Sequence, residues 1–559
     1  MKNLSKYIPV IILMIVIIIG AFFRFNKLGQ SPSGLYVDEA ALGYNAFSVF
    51  KTGKDEYGKF MPVMFRSFST FQSPIYTYLT VPLMPIMGLT PLSTRFPSAL
   101  FGLLTIPLLF FLVKKISPEK YRTKLALTSA LFLSISPWHI AYSRTAYETN
   151  IALFFLILGS LLFFQSLKKP WLFVLSGISL AISSNAYRAE TLIVPLLVII
   201  LSLRFYKSIL KNLRTFINPI LISIALGLVL ITPMLLIMRT PGFKARTSSL
   251  NIFSISRQSP WGYKAGGGTL QKIVNNPQLL SAKEFLSLYT SYFSPRYLFS
   301  LGDAGPRKPF PDLGTFFVWQ FPLYLIGLYF LLKEKQLKSL RYFIFVLLLS
   351  SPIPAALTRD PYSTLRSLPM VIPLTLIISF GLVKLLDFVW PVLNKSKYLI
   401  ICFLVLYSSV RMYISIFYLN DYFRSSFWNY GWESLTGSLK DLDQNIPIVV
   451  DNSHGDSYIL LLFFLKYDPS TYQRDNFEVP LFEYYVNMYR NPTKNLGRIK
   501  VKSFQWGVDT DNIVQYIIAD NIAISEVQIA EHHLITIKEI KHPNGEVAFR
   551  ILKTNPSLK

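Results

Sequence analysis

A run of seventeen residues, YIPVIILMIVIIIGAFF (7–23), carries no charge and a single proline. At about 1.5 Å of rise per residue, a helix of this length crosses most of a hydrocarbon core about 30 Å thick. Comparable runs recur near 98–113, 125–142, 150–166, 171–186, 190–203, 217–238, 313–332, 342–357, 367–390 and 398–418, eleven in all. The third, fifth and ninth have short uninterrupted apolar stretches and suit a re-entrant or buried helix as well as a span. Only 15% of the 559 residues are charged and 52% are hydrophobic, whereas soluble chains carry about a quarter charged residues. The sequence predicts a polytopic α-helical membrane protein. The basic MKNLSK start would suit a signal peptide, but the first run is long and no A-x-A-like site follows it, so it reads as a retained span.

Charge sets the orientation. The formal net charge of +26 does not point to nucleic acid, because the Lys and Arg residues are spread over short loops between apolar runs. With a cytoplasmic N-terminus, the inner loops are KKISPEKYRTK (114–124), KK (168–169), RFYKSILKNLR (204–214), KEKQLKSLR (333–341) and NKSK (394–397). Each is short and basic, as the positive-inside rule requires. Their only acids are Glu119 and Glu334, whereas Asp38, Glu39, Asp55, Glu56, Glu148, Glu190, Asp303, Asp312 and Asp360 fall on the opposite side. Eleven spans then leave the C-terminal region extracytoplasmic. The single cysteine, Cys402, excludes an intramolecular disulfide and a Cys-rich metal site.

Two outer loops, 24–97 and 239–312, are too long for simple turns and are expected to carry function or helices of their own. In the first, EAALGYNAFSVFKTG (39–53) sets Tyr44, Phe47 and Phe50 at helical spacing, for a helix in the interface plane or one packed inside the protein. In the second, AGGG (265–268) suggests a mobile flap. The expected division is a membrane domain over 1–420 and a small extracytoplasmic α/β domain over 421–559. In the latter, IPIVVDNS (446–453) reads as a buried strand and SYILLLFFLKYD (457–468) as a helix. HHLITIKEIKHPNGEVAFRIL (532–552) reads as a hairpin turning at Asn544-Gly545.

The outer face has no nucleotide pool, so a transferase working there needs an activated donor already in the lipid, such as a polyprenyl phosphate-linked sugar. That reaction needs a base for an acceptor hydroxyl and cations for the phosphate leaving group. Asp38 and Glu39, just above the first span, and arginines at the same level meet both needs. Neighbouring helical residues point about 100° apart, so one of the two acids serves as base and the other orients an arginine or a backbone amide. Asp38 has a second reading as a helix cap.

VDEAALGYNA (37–46), GKDEYGKFMPVMFRSFSTF (53–71), PIYTYLTVP (74–82), SPWHIAYSRTAYETN (136–150), SYFSPRYLFSLGDAGPRKPFPDLGTFF (291–317) and LTRDPYSTLRSLPMVIPL (357–374) follow one another in this chain. In that order they resemble the outer loops of the protein O-mannosyltransferase/aminoarabinose-transferase superfamily. FWNYGWESL (427–435) and LKYDPSTYQ (465–473) are similar to bacterial members with a C-terminal outer domain. The resemblance implies a GT-C integral-membrane glycosyltransferase that uses a polyprenyl phosphate-sugar donor and a glycan, lipid or protein acceptor, with membrane lipids around it and no nucleic acid. It implies Asp38 as catalytic base and Glu39 as its partner. Arg144, Glu148, Arg188 and Asp303 are the further substrate-binding candidates, although a turn explains Asp303 and an i,i+4 pair explains Arg144 with Glu148. Many relatives have Lys-Pro in the first outer loop where this chain has Gln72. Arg66, Arg359 or Arg366 would then supply the missing phosphate contact. His139 reads as structural. His454, His532 and His533 lack metal-ligand spacing, so no zinc site is expected, and a divalent cation is the one cofactor left open. The competing class is a transporter or lipid flippase, which predicts ionisable residues at mid-membrane and a repeat between halves.

Overall fold

The computed structural model describes residues 2–68, 70–241, 243–244, 252, 276–303, 305–307, 310–359, 361–393, 396–453, 455–511 and 513–555. The expected flap at 265–268 and His454 lie outside them. The chain divides into two compact units.

The first unit comprises Met1–Asn26, Ser98–Arg239 and Lys244–Ser415. Among the described residues, eight helices are long and apolar enough to cross a membrane, and a ninth candidate is a pair, Arg122–Ser134 with Pro137–Ser143, bent by 57°. The bend lies in the third run, one of the three expected to be weak. Ser136, held extended by the proline that follows it, accepts the His139 N–H at 3.4 Å and starts a new helix there. The fifth run forms only the 15-residue helix Leu172–Ala186. The ninth does not behave as expected: a single turn of 3-10 helix and the turn over 353–357 extend it to Lys335–Leu357, 23 residues. The eighth is the short one, because its helix begins at Val318.

Helices in this unit meet along small residues, the way apolar helices approach closely when lipid supplies no driving force between them. Ser176, Ser179 and Ser183 of Leu172–Ala186 donate to the carbonyls of Gly159, Phe155 and Ala152 on Glu148–Ser166, each at 2.8 Å. Phe321–Lys333 and Val371–Leu393 cross at a glycine pair. A Cβ on Gly327 would stand 1.9 Å from the Ile377 carbonyl oxygen, and one on Gly381 1.9 Å from that of Leu323.

The second unit comprises Lys27–Pro97, Thr240–Phe243 and Ile416–Lys559. The first long outer loop, grouped with the membrane part in the sequence reading, thus belongs to the same body as the C-terminal region. A hairpin of β1 (Phe65–Ser67) and β2 (Thr70–Gln72) lies in the loop. The C-terminal strands are β3 (Ile448–Asp451), β4 (Lys494–Leu496), β5 (Ile499–Lys502), β6 (Tyr516–Ala519), β7 (Ile535–Lys541) and β8 (Val547–Lys553). They form a mixed sheet in the order β4-β5-β3-β6-β8-β7, with β3 parallel to both neighbours and buried over Ile448, Val449 and Val450. The last two strands are the expected hairpin. Its turn closes with the His542 N–H on the Glu546 carbonyl, and Gly545 takes a φ of 89°.

The segment with aromatic spacing is the helix Val37–Thr52, and it is packed inside the protein rather than lying on an interface. Tyr44 is fully buried, and its ring meets Tyr472 edge-on at 6.3 Å. Ser457–Phe464 is the helix expected from SYILLLFFLKYD, buried from Tyr458 to Phe463 and ending before the expected Asp468.

Candidate active site

In the second unit, the helix bearing the adjacent acids starts at Val37 with Tyr36 as its cap, so Asp38 is the second helical residue and not the cap. Both acids lie in the first turn, where the helix dipole favours negative charge. Asp38 is half-buried, whereas Glu39 is completely enclosed. Glu39 accepts the Tyr36 N–H at 3.1 Å and takes Nε and Nη2 of Arg95 at 3.0 and 2.9 Å. Arg95 also donates to the carbonyls of Pro32 and Gly34, at 2.9 and 2.7 Å. A carboxylate held by so many donors is committed to its position.

Arg66 is fully buried, stacked 5.1 Å from the Tyr57 ring centre. Its Nη2 donates to the Tyr489 carbonyl and lies 3.7 Å from Glu478. Arg66 pairs with Phe71 across the hairpin, while Gln72 pairs with Phe65. Side chains alternate along a strand, so Arg66 and Gln72 point to opposite faces. The expectation that Arg66 replaces the lysine missing at Gln72 is therefore corrected: it faces away and is closed off by Glu478 and Tyr489. Behind it, Asp55 accepts the N–H groups of Tyr57 and Lys59 at 3.0 and 2.8 Å and the Tyr484 hydroxyl. Burial pushes its carboxyl up to about 6, against those hydrogen bonds, and burial with the nearby Asp55 charge pushes that of Glu56 to about 7.

In the first unit, three loop motifs meet at Thr364. Asp303 accepts both its N–H and its hydroxyl at 2.8 Å, Tyr142 shares a hydroxyl hydrogen bond with it at 2.7 Å, and Trp138 Nε1 donates to its carbonyl at 3.0 Å. Asp303 is buried and also accepts the Gly305 N–H at 2.8 Å. It ties loops together rather than sitting in an isolated turn.

Around Tyr187 the structure gathers Glu148, Arg188 and Arg366, together with Glu190. Burial raises the phenol well above its usual range. The Arg366 charge pulls it down, Glu190 and Glu148 push it up, and Arg188 pulls it down again. Glu148 and Arg188 are half-buried, and Arg366 Nη1 donates to Thr358 Oγ1 at 2.9 Å. Arg359 is exposed, in a left-handed turn with φ 58°. Arg144 is fully buried and donates to the Phe23 carbonyl at 2.8 Å. With Arg24, which bonds the Gly20 carbonyl and, at 2.7 Å, His139 Nδ1, it caps the C-terminal end of the first helix. His139 is fully buried.

Sequence reasoning did not single out Arg95 or Glu190 as site residues. The signal for Arg95 was a lone cation at the start of the apolar helix Pro91–Ile116. The signal for Glu190 was an acid opening an apolar run, and the structure buries it completely, with neither carboxylate oxygen hydrogen-bonded. Among the described residues, no group of three or more His, Cys, Asp or Glu is arranged to hold a metal ion.

Residues 72–237 match the family model described as dolichyl-phosphate-mannose-protein mannosyltransferase. The matched segment takes in SPWHIAYSRTAYETN, one of the motifs that carry the resemblance. No curated protein matches the chain. Among solved structures it is similar to the archaeal oligosaccharyltransferase AglB from Archaeoglobus fulgidus in complex with an inhibitory peptide and a dolichol-phosphate. That likeness has 11% identity and a TM-score of 0.47, over 91% of this chain and 62% of that one. The chain thus spans about three fifths of the archaeal protein's length. It is also similar to ArnT from Cupriavidus metallidurans, in the apo state at 11% identity and TM-score 0.43 over 98% of each chain. The undecaprenyl phosphate-bound form of ArnT gives 12%, 0.48 and 97%.

Proposed function

We propose that this multi-pass membrane protein is a GT-C-type glycosyltransferase. In this reading it moves a sugar from a polyprenyl phosphate donor to an acceptor hydroxyl on the extracytoplasmic side, with its N-terminus cytoplasmic and its C-terminal domain outside. The match over residues 72–237 to a family of lipid-phosphate-mannose transferases carries the reading. The surroundings of Tyr187 support it, since Arg188 and Arg366 supply positive charge among carboxylates at the helix ends opposite the basic loops.

Asp38 is the base. It takes the proton of the acceptor hydroxyl as that oxygen bonds the anomeric carbon, and the bond from that carbon to the phosphate oxygen breaks with its electron pair leaving on the phosphate. Attack from the face opposite the leaving group inverts the anomeric centre. Arg188, Arg359 and Arg366 stabilise the departing polyprenyl phosphate, as charge developing in the transition state requires. Glu39 does not take the proton. It is bound by Arg95 and fixes the turn that carries Asp38. Glu148 binds the acceptor or the sugar. A divalent cation is compatible with this scheme, and no step runs through one.

Purified protein offered a panel of polyprenyl phosphate sugars should release polyprenyl phosphate from at least one of them in the presence of membrane-derived acceptors. Release from none, by a protein shown to be folded, would overturn the reading.

A further inference from the structure

The basic ends of the helices in the first unit enclose more than a rim of positive charge. A cavity of about 820 Å³ is lined by Lys114, Lys115, Arg122 and Lys168, over a floor of Phe111, Phe164 and Phe205. Phe164 and Phe205 meet edge-on at 5.8 Å, which makes the floor a packed surface. A second cavity, of about 480 Å³, is lined by Arg204, Lys338, Arg341 and Tyr342. The two adjoin through consecutive residues, since Phe205 and Ser339 line the first while Arg204 and Lys338 line the second. Arg204 stacks on Tyr342 and Phe205, at 5.1 and 5.3 Å from their ring centres.

The acids at this end are already engaged. Glu119 pairs with Arg122, Asp387 pairs with Lys124 at 2.9 Å, and Glu334 pairs with Lys384. Among the described residues, Lys114, Lys115, Lys168, Arg204 and Lys338 have no acidic partner. Like charges converging on a concave, partly apolar wall repel each other unless an anion sits between them. An inorganic anion would satisfy the charge and leave the aromatic floor exposed. A phosphate attached to a hydrocarbon chain satisfies both. Basic pockets between membrane helices are recognised by such headgroups, and each nearby cation adds to the attraction.

We propose that these two cavities form one binding site for the phosphate headgroup of an anionic membrane phospholipid. Lys115 and Lys168 hold the phosphate, Arg204 and Lys338 extend the charge into the second cavity, and one hydrocarbon chain lies on Phe111, Phe164 and Phe205. The site serves the leaflet that these helix ends face and is separate from the residues gathered around Tyr187.

Native mass spectrometry on the full chain, stripped of lipid in a nonionic detergent and titrated with defined additives, tests this. Phosphatidylglycerol should bind at one site at concentrations where phosphatidylcholine, inorganic phosphate and glycerol 3-phosphate do not. The paired variants K115Q/K168Q and R204Q/K338Q should each lose about tenfold or more in phosphatidylglycerol affinity, from two lost cations. K207Q/K211Q, on the same basic end outside both cavities, should stay within about twofold on the same basis. Equal losses in all three pairs would reduce the effect to general attraction at the membrane rim and overturn the site. Equal binding of phosphatidylcholine would overturn it too. Binding of inorganic phosphate as tight as that of the lipid would make it a free-anion site instead. If a variant fails to fold, the comparison of the four additives on the unaltered chain still decides.

Discussion

Arg95 donates from Nε and Nη2 to the two carboxylate oxygens of Glu39, at 3.0 and 2.9 Å, and both side chains are fully buried. The pair joins the start of the helix Val37–Thr52 to the start of Pro91–Ile116, with the first long outer loop running between them. Breaking a buried ion pair by removing one partner typically costs about 3–5 kcal/mol, because the other charge is left enclosed. Arg95→Leu should therefore destabilise the second unit by about that amount. It should do so more than Glu39→Gln, which keeps an acceptor for the guanidinium. Thermal unfolding of the purified variants checks this, and equal, small effects would mean that the pair is not what holds the loop.

This relationship also marks how far the sequence could be read. The spans were legible because apolar runs of 17–25 residues have few alternatives, and the strand 448–451 and the final hairpin followed from β-branched runs and Asn544-Gly545. What failed was any property set by register or by long-range pairing. Arg66 and Gln72 lie six positions apart, and only their partners in the hairpin, Phe71 and Phe65, reveal that they face opposite ways. Glu39 and Arg95 are 56 residues apart, and no local pattern announces their pairing. Asp303 looked like a turn residue because its two partners on Thr364 are 61 residues away.

Asp303 leads to a second expectation. Asp303→Ala would leave the Thr364 N–H buried without its acceptor, at about 1–3 kcal/mol for such an orphaned group. Thr364→Val removes the hydroxyl that the same carboxylate oxygen accepts. The double variant should lose less than the sum of the single ones, as contacting residues do. Strict additivity in denaturation experiments would show that the hydroxyl bond contributes nothing.

The buried acids of the second unit give it an unusual pH dependence. Asp55 and Glu56 are pushed up to about 6 and about 7, against about 4 in an unfolded chain. Between pH 4 and 7 these two carboxyls therefore hold more protons in the folded unit than in the unfolded one, so their contribution to stability falls as pH rises through that window. Lys494, lowered to about 8 mainly by burial, binds fewer protons folded than unfolded above that pH, so stability recovers as pH rises further. Tyr484, Lys59 and Arg66 face Asp55, and Asn45, Arg490 and Lys494 face Glu56. Amide hydrogen exchange in peptides covering 53–68 and 484–494, corrected for intrinsic rates, should speed up as pH rises from 4 to 7 and slow again above pH 8. Asp55→Asn should flatten the acid side of the profile. Corrected exchange that instead speeds up steadily from pH 7 towards acid would contradict the burial of these two carboxyls.

Gln72 supplies a gain-of-function expectation. It is half-buried on the hairpin face opposite Arg66, and its side-chain oxygen is buried without a hydrogen-bond partner. If this face meets the donor phosphate, Gln72→Lys adds a charge-assisted contact of about 1.5–3 kcal/mol, which is roughly tenfold or more in donor affinity. Titration with a fluorescent polyprenyl phosphate measures it. Unchanged affinity in a folded variant would move the phosphate contact to Arg188, Arg359 and Arg366 alone.

The decisive variant is at Asp38. Its carboxylate is half-buried at the second position of its helix, beside a partner that Arg95 holds, and Tyr36 rather than Asp38 is the cap. The loss of a capping hydrogen bond is thereby removed from the structural account of this residue. The attraction of a first-turn acid to the helix dipole contributes about 0.3–1 kcal/mol. Asp38→Asn preserves the shape of the side chain and removes its charge. A general base contributes about 10²–10⁴-fold to rate. The variant should thus fold, bind donor with unaltered affinity and turn over at least about a hundredfold more slowly. The loss should appear in kcat and not in KM, because the proton is taken only in the transition state. Near-normal kcat in Asp38→Asn would assign the carboxylate to helix stability alone and transfer the role of base to Glu148, whose replacement by Gln should then show the hundredfold loss instead.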